Sequence, residues 1–179
     1  WVEASWERIR WIRLAVSLFF GVLLFAGLNA GFSWLTGVYN TTNSDASGQS
    51  ASNLGVNSGS DASPLPWETL GREGRYYVSN TMSAASIAEI TARPAEQPIR
   101  LYVGMEQADS FDGRAALAVD ELDRVDAWSR EYLVIFGVTG TGWVDPDAIN
   151  ALEVVTGGDV TTVATQYSAV PSWIGFIID

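Results

Sequence analysis

The residues with the clearest chemical potential are Thr139-Gly140-Thr141-Gly142-Trp143, which follow the apolar run Tyr132–Val138 and precede Asp145-Pro146. Two glycines one residue apart allow a tight backbone turn. Asp145 is placed to cap a helix, and Pro146 suits its first position, where a missing N–H costs nothing. A strand, a glycine loop and a helix start in that order gather backbone N–H groups at one point. Such a point holds a phosphate or the oxyanion of an acyl-transfer intermediate. Thr139, Gly140, Thr141, Gly142 and Trp143 are therefore the candidate oxyanion-hole or pocket loop.

Other chemistries fit the same residues less well. A dinucleotide fingerprint needs a third glycine where Asp145 stands, and an anionic side chain there would face the pyrophosphate. A Walker loop needs a lysine, and the chain has none. Asp145-x-Asp147 has the spacing of a metal-binding pair, but a cap followed by a first-turn acid accounts for both through the helix dipole. A tight strand-to-helix turn would by itself explain the glycines. Ser168 ends a strand, with Gln166 and Val170 at the positions where a nucleophile elbow needs small neighbours. It reads as an ordinary strand-end hydroxyl. No catalytic residue is assigned within this chain, and no metal or cofactor is expected.

Composition narrows the classes further. The 179 residues carry a net charge of −11, with no cysteine, no histidine and only arginine among the ten basic residues. No Ser-His-Asp triad, Cys-His pair or histidine metal site can be completed from these residues. An acidic chain without a basic stripe is a poor partner for nucleic acid.

The elements that must position the loop alternate along the chain. Ile99–Met105, Tyr132–Val138 and Val160–Tyr167 read as strands, and the apolar second run reads as fully buried. Asp112–Trp128 reads as a helix with Ala115, Ala118, Val119, Leu122 and Val125 on its core stripe. Asp120, Glu121, Asp123 and Asp126 fall on its solvated face. Further helices are expected near 84–91, over Pro146–Val154 and from Ser172. Repeated strand–helix units mean a parallel sheet and an α/β fold, a partial doubly wound sheet with fewer strands than usual. The chain starts at Trp1 rather than a methionine, and Trp173, Phe176 and Ile177 fall at helical spacing at its end. It reads as a fragment.

Four segments are expected. Residues 1–13 contain Arg8, Arg10 and Arg13 and read as a cytoplasmic juxtamembrane segment. Residues 14–36 read as one transmembrane helix, because about 22 uncharged residues suffice to cross ~30 Å of hydrocarbon. A cleaved signal peptide would be shorter, with Leu28-Asn29-Ala30 a weak cleavage site. No basic residue follows until Arg72, so the remainder is expected outside the cytoplasm. Residues 37–66, rich in Ser, Asn and Gly, read as a flexible tether with too little apolar surface to fold. Residues 67–179 hold the α/β domain.

Ser63–Arg75, Pro98–Met105, Thr139–Glu153 and Gly157–Trp173 resemble a family of membrane-anchored, mainly actinobacterial α/β-hydrolases. Such proteins pair N-terminal membrane helices with a C-terminal hydrolase domain. The resemblance implies a serine hydrolase whose elbow serine, Asp and His lie outside this chain, with Thr139–Trp143 as an oxyanion-hole or pocket wall. It implies an ester substrate, a lipid or cell-envelope acyl ester, and membrane lipid or membrane proteins as partners. A non-catalytic envelope interaction or scaffold protein, and a nucleotide or cofactor binder, remain as alternatives.

Overall fold

The computed structural model describes residues 2–51 and 54–178, with side chains described from residue 6 to residue 176. Residues 1, 52, 53 and 179 lie outside the described residues, and with them the two chain ends and two positions of the expected tether. The chain divides into two compact units, Trp1–Val38 and Tyr39–Asp179.

Residues 2–38 of the first unit lie within helix α1 (Val2–Ser44), the one described helix long and apolar enough to cross a membrane. Leu18, Phe20, Leu24 and Phe25 are all more than half exposed. Polar side chains in this stretch fold back on their own helix. Asn29 Nδ2 donates to the Phe25 carbonyl at 2.9 Å, and Thr36 Oγ1 donates to the Phe32 carbonyl at 2.9 Å. Each bond satisfies a polar group that an apolar medium would otherwise penalise.

The second unit is an α/β domain. After α1 come α2 (Gly71–Ser79), α3 (Ala84–Thr91), β1 (Ile99–Val103), α4 (Phe111–Arg124), β2 (Tyr132–Phe136), α5 (Pro146–Val155), β3 (Val160–Thr165) and α6 (Ser172–Ile178). The three strands form a parallel sheet in the order β1-β3-β2, with Leu101 opposite Val163 and Val134 opposite Thr162. The crossover from β1 to β2 therefore runs one way along the sheet, and that from β2 to β3 runs back. Right-handed crossovers in opposite directions place their helices on opposite faces.

The core follows that rule. On one face Ile99, Leu101, Val103 and Val163 pack with Ala118 and Leu122 of α4. On the other, Tyr102 and Ala164 pack with Tyr77 and Val78 of α2 and Ile149 of α5. Successive strand residues alternate between the two. Burying each of the large aliphatic side chains contributes about 1.5–3 kcal/mol. The second face also holds an ion pair: Arg100 Nε meets Glu153 Oε1 at 2.6 Å, and both side chains are inaccessible to solvent. Arg100 also donates to the Tyr77 carbonyl and to Asn150 Oδ1, at 3.0 and 2.8 Å, while Glu153 Oε2 accepts the Met82 N–H. This cluster ties α2, β1 and α5 together.

Three expectations need correction. The second strand is not fully buried: β2 lies at the sheet edge among the described residues, so Tyr132 is 44% exposed and Ile135 is 78% exposed. Glu121 is not on a solvated face but fully buried, with Arg124 Nε at 2.7 Å and the Ser58 and Ser63 hydroxyls donating to it. Its burial centres the α4 core stripe on Ala118 and Leu122, and leaves Ala115 and Val119 exposed.

The third concerns residues 37–66. Helix α1 continues to Ser44, and Asn57, Ser58 and Ser60 are buried. Asn57 Oδ1 accepts the Arg100 N–H, Ser58 Oγ accepts the Tyr102 N–H, and the Ser58 N–H donates to the Arg100 carbonyl. Small polar residues here do the work of a neighbouring strand, satisfying the free edge of β1. Their lack of apolar surface is made up by hydrogen bonds to groups far along the chain.

Candidate functional site

All three strands point their carboxyl ends the same way, and the loops that follow them meet there. In open parallel sheets this edge is where ligands bind. The loop after β2 is closed on itself. The Thr139 N–H donates to the Trp143 carbonyl at 3.1 Å, and the Gly142 N–H donates to the Thr139 carbonyl at 2.9 Å. Trp143 N–H reaches Thr139 Oγ1 at 3.2 Å, and Gly140 N–H donates to Ser172 Oγ at 2.9 Å. Of the five amides in Thr139–Trp143, only that of Thr141 makes no hydrogen bond among the described residues. Most of the loop's backbone donors are therefore already engaged within the chain.

The two glycines have packing reasons. Gly142 has φ +90°, and a methyl group there would overlap the Tyr102 hydroxyl. That hydroxyl donates to the Gly142 carbonyl at 2.9 Å. Burial holds the Tyr102 pKa far above its ordinary value, so it stays a donor. A methyl at Gly140 would overlap the Val170 carbonyl and the Ser172 amide in the segment after β3. Asp145 Oδ1 accepts the Asp147 and Ala148 N–H groups, at 2.9 and 3.3 Å, and so acts as the α5 cap. Ser168 Oγ accepts the Val170 N–H in a turn.

Gln166 is the organising residue that the sequence reading passed over. It is 1% exposed at the end of β3. Its Oε1 accepts the Met105 N–H after β1. Its Nε2 donates to Asn43 Oδ1 at 3.0 Å and to the Thr141 and Ser168 carbonyls at 2.9 Å each. One amide thus fixes the end of α1 and the loops after all three strands. A polar residue directly after the β-branched run VTTVAT was the available signal.

Beside the loop lies a cleft of about 580 Å³, between Asp45–Gln49, one side of α2 and Trp143–Pro146. Arg75, 0% exposed, ties its wall together. Arg75 donates to the Asn43, Asp45 and Glu68 carbonyls and to Gln49 Oε1 at 2.6–3.1 Å. Gln49 Nε2 donates onward to the Arg72 carbonyl at 3.1 Å. Gly71, with φ +73°, starts α2 against the amides of Asn43 and Gln166, which a side chain would crowd. Arg72 and Glu73 also line a smaller cavity of about 140 Å³ that reaches Asn43 and Thr141. Burial raises the Glu73 pKa, and the nearby Arg72 charge opposes that rise. The Ser47 hydroxyl and N–H hold the Asp45 pKa below its usual value.

Residues 99–179 match the model of an alpha/beta-hydrolase family. No curated protein and no solved structure matches the chain. The matched stretch runs from β1 to the last residue and includes the 139–143 loop, Gln166 and Trp143. It leaves out Asp45, Arg72, Glu73 and Tyr76, which supply the other side of the cleft.

Proposed function

We propose that this chain is part of a membrane-tethered, extracytoplasmic serine hydrolase acting on an ester, a lipid or cell-envelope acyl ester. The family match over residues 99–179 carries the reading. The nucleophile is assigned to a serine outside these residues, because the chain has no histidine to activate one. In the reaction the serine oxygen attacks the ester carbonyl, and the tetrahedral oxyanion needs donors already in place. Thr141 N–H, uncommitted at the carboxyl edge of the sheet, is the donor assigned here, with Thr139–Trp143 as pocket wall. The tether is α1, with Arg8, Arg10 and Arg13 on the cytoplasmic side and membrane lipid or membrane proteins around it. Nucleic acid has no place in this reading.

The test is fluorophosphonate labelling of the full-length protein in native membranes, with the modified peptide mapped by mass spectrometry. A labelled serine outside residues 1–179 is expected. Label on a serine within them would overturn the placement of the nucleophile. Folded protein that takes no label would favour a second reading, a non-catalytic envelope interaction or scaffold protein. The engagement of four of the five loop amides within the chain is the observation on that side.

A further inference from the structure

The cleft beside the loop divides its polar groups into two sets. Arg75 and Gln49 are engaged in holding the wall, as described above. Arg72, Glu73 and Tyr76 line the same space, and their side chains make no hydrogen bond among the described residues. Asp45 Oδ1 is taken by Ser47, which leaves its second carboxylate oxygen. Two aromatic side chains line the cleft with much of their surface uncovered, Tyr76 at 45% exposure and Trp143 at 42%. Exposed aromatic surface beside uncommitted donors and acceptors, on a wall fixed from behind, is the composition of a preformed binding site.

The balance of charge selects the ligand. Two carboxylates beside one guanidinium, in a chain of net charge −11, disfavour an anion. Arg72 acts electrostatically on both carboxylates and offsets part of their charge, which weakens the pull on a cation. A neutral ligand with many hydroxyl groups suits both signs, since each hydroxyl accepts from Arg72 and donates to Glu73 or Asp45. The aromatic rings then cover its C–H faces. We propose that this cleft binds a neutral glycosyl group, with Trp143 and Tyr76 as stacking surfaces and Arg72, Glu73 and Asp45 reading its hydroxyls. Most of these residues lie outside the stretch that matches the hydrolase family, so the site stands whether or not the chain takes part in ester hydrolysis.

The test is saturation-transfer NMR on the whole chain in detergent micelles, with neutral linear tetrasaccharides of glucose, mannose, galactose and xylose as probes. Trigalacturonate and spermidine serve as charged counter-probes. At least one neutral probe is expected to bind saturably with Kd below about 10 mM, and Trp143→Ala and Tyr76→Ala are each expected to weaken it about tenfold or more. Arg72→Ala, at an exposed position, gives the same loss and serves if Trp143→Ala lowers the melting temperature. The proposal is overturned if no neutral probe binds. It is equally overturned if the Tyr76→Ala/Trp143→Ala double variant binds unchanged, or if either charged probe binds more tightly than every neutral one.

Discussion

Gly142 shows how closely the candidate loop is fitted to the sheet beneath it. Its φ of +90° is a conformation that side chains rarely adopt, and the space for a methyl group is filled by the Tyr102 hydroxyl. Gly142→Ala is therefore expected to cost about 1–3 kcal/mol, from backbone strain and overlap together. Tyr102→Phe alone removes the bond to the Gly142 carbonyl and is expected to cost about 0.5–1.5 kcal/mol. The overlap with the hydroxyl is relieved when both changes are made, while the approach to Gln166 Cγ at 3.0 Å remains, so the double variant should be more stable than the sum of the singles predicts. Urea titration of the four proteins as whole chains in micelles measures the cycle. Strict additivity would mean that the backbone angle and the Gln166 contact, and not Tyr102, require the glycine. At this scale the sequence made the glycines and the Asp145 cap visible, because both are local backbone devices. It could not make Tyr102 visible, since its contact with residue 142 exists only once β1 and the loop after β2 are side by side.

At the scale of elements, apolar periodicity was a sound guide wherever an element is stabilised by its own residues and their burial. It places β1, α3, α5 and β3 within a few residues of their observed ends. It fails where polar residues take structural roles. Arg100, Glu121 and Glu153 are charged side chains at 0–1% exposure, each with at least one partner more than fifty residues away in sequence. Residues 54–66 look disordered by composition because Ser, Asn and Gly bury little apolar area. They are nonetheless pinned to the edge of β1, and Glu121 is one of the pins: Ser58 Oγ and Ser63 Oγ donate to its Oε2 at 2.7 and 3.1 Å. Glu121→Ala is expected to cost about 1.5–3 kcal/mol, the range for hydrogen bonds to a charged group. Hydrogen exchange gives the sharper reading. The amides of Ser58 and Tyr102 should exchange faster in the variant, while those within the β3 pairings keep their protection. If the Ser58 amide exchanges freely in the unaltered protein, the segment is a tether as its composition suggested, and the docked arrangement is wrong.

At the scale of the molecule, the absence of cysteine from residues 1–179 lets a single introduced thiol report the proposed topology. Three arginines precede the apolar stretch of α1, and the next basic residue is Arg72. If α1 spans the bilayer with its N-terminal end in the cytoplasm, a thiol placed before the stretch and one placed after it face different compartments. Glu7→Cys and Asp61→Cys are suitable because both side chains are exposed and neither makes a hydrogen bond among the described residues. A membrane-impermeant maleimide added to intact cells should label position 61, read on the peptide that carries it, and leave position 7 unlabelled until the cells are permeabilised. The reverse pattern would place the hydrolase-like domain in the cytoplasm and remove the argument for an extracytoplasmic substrate. Labelling of both positions would mean that α1 does not span. Its exposed Leu18, Phe20, Leu24 and Phe25 would then need cover from protein rather than lipid, since an uncovered apolar surface of that extent is not stable in water. Either result acts on the ester reading directly, because what the loop at Thr141 can meet depends on the side of the membrane it faces.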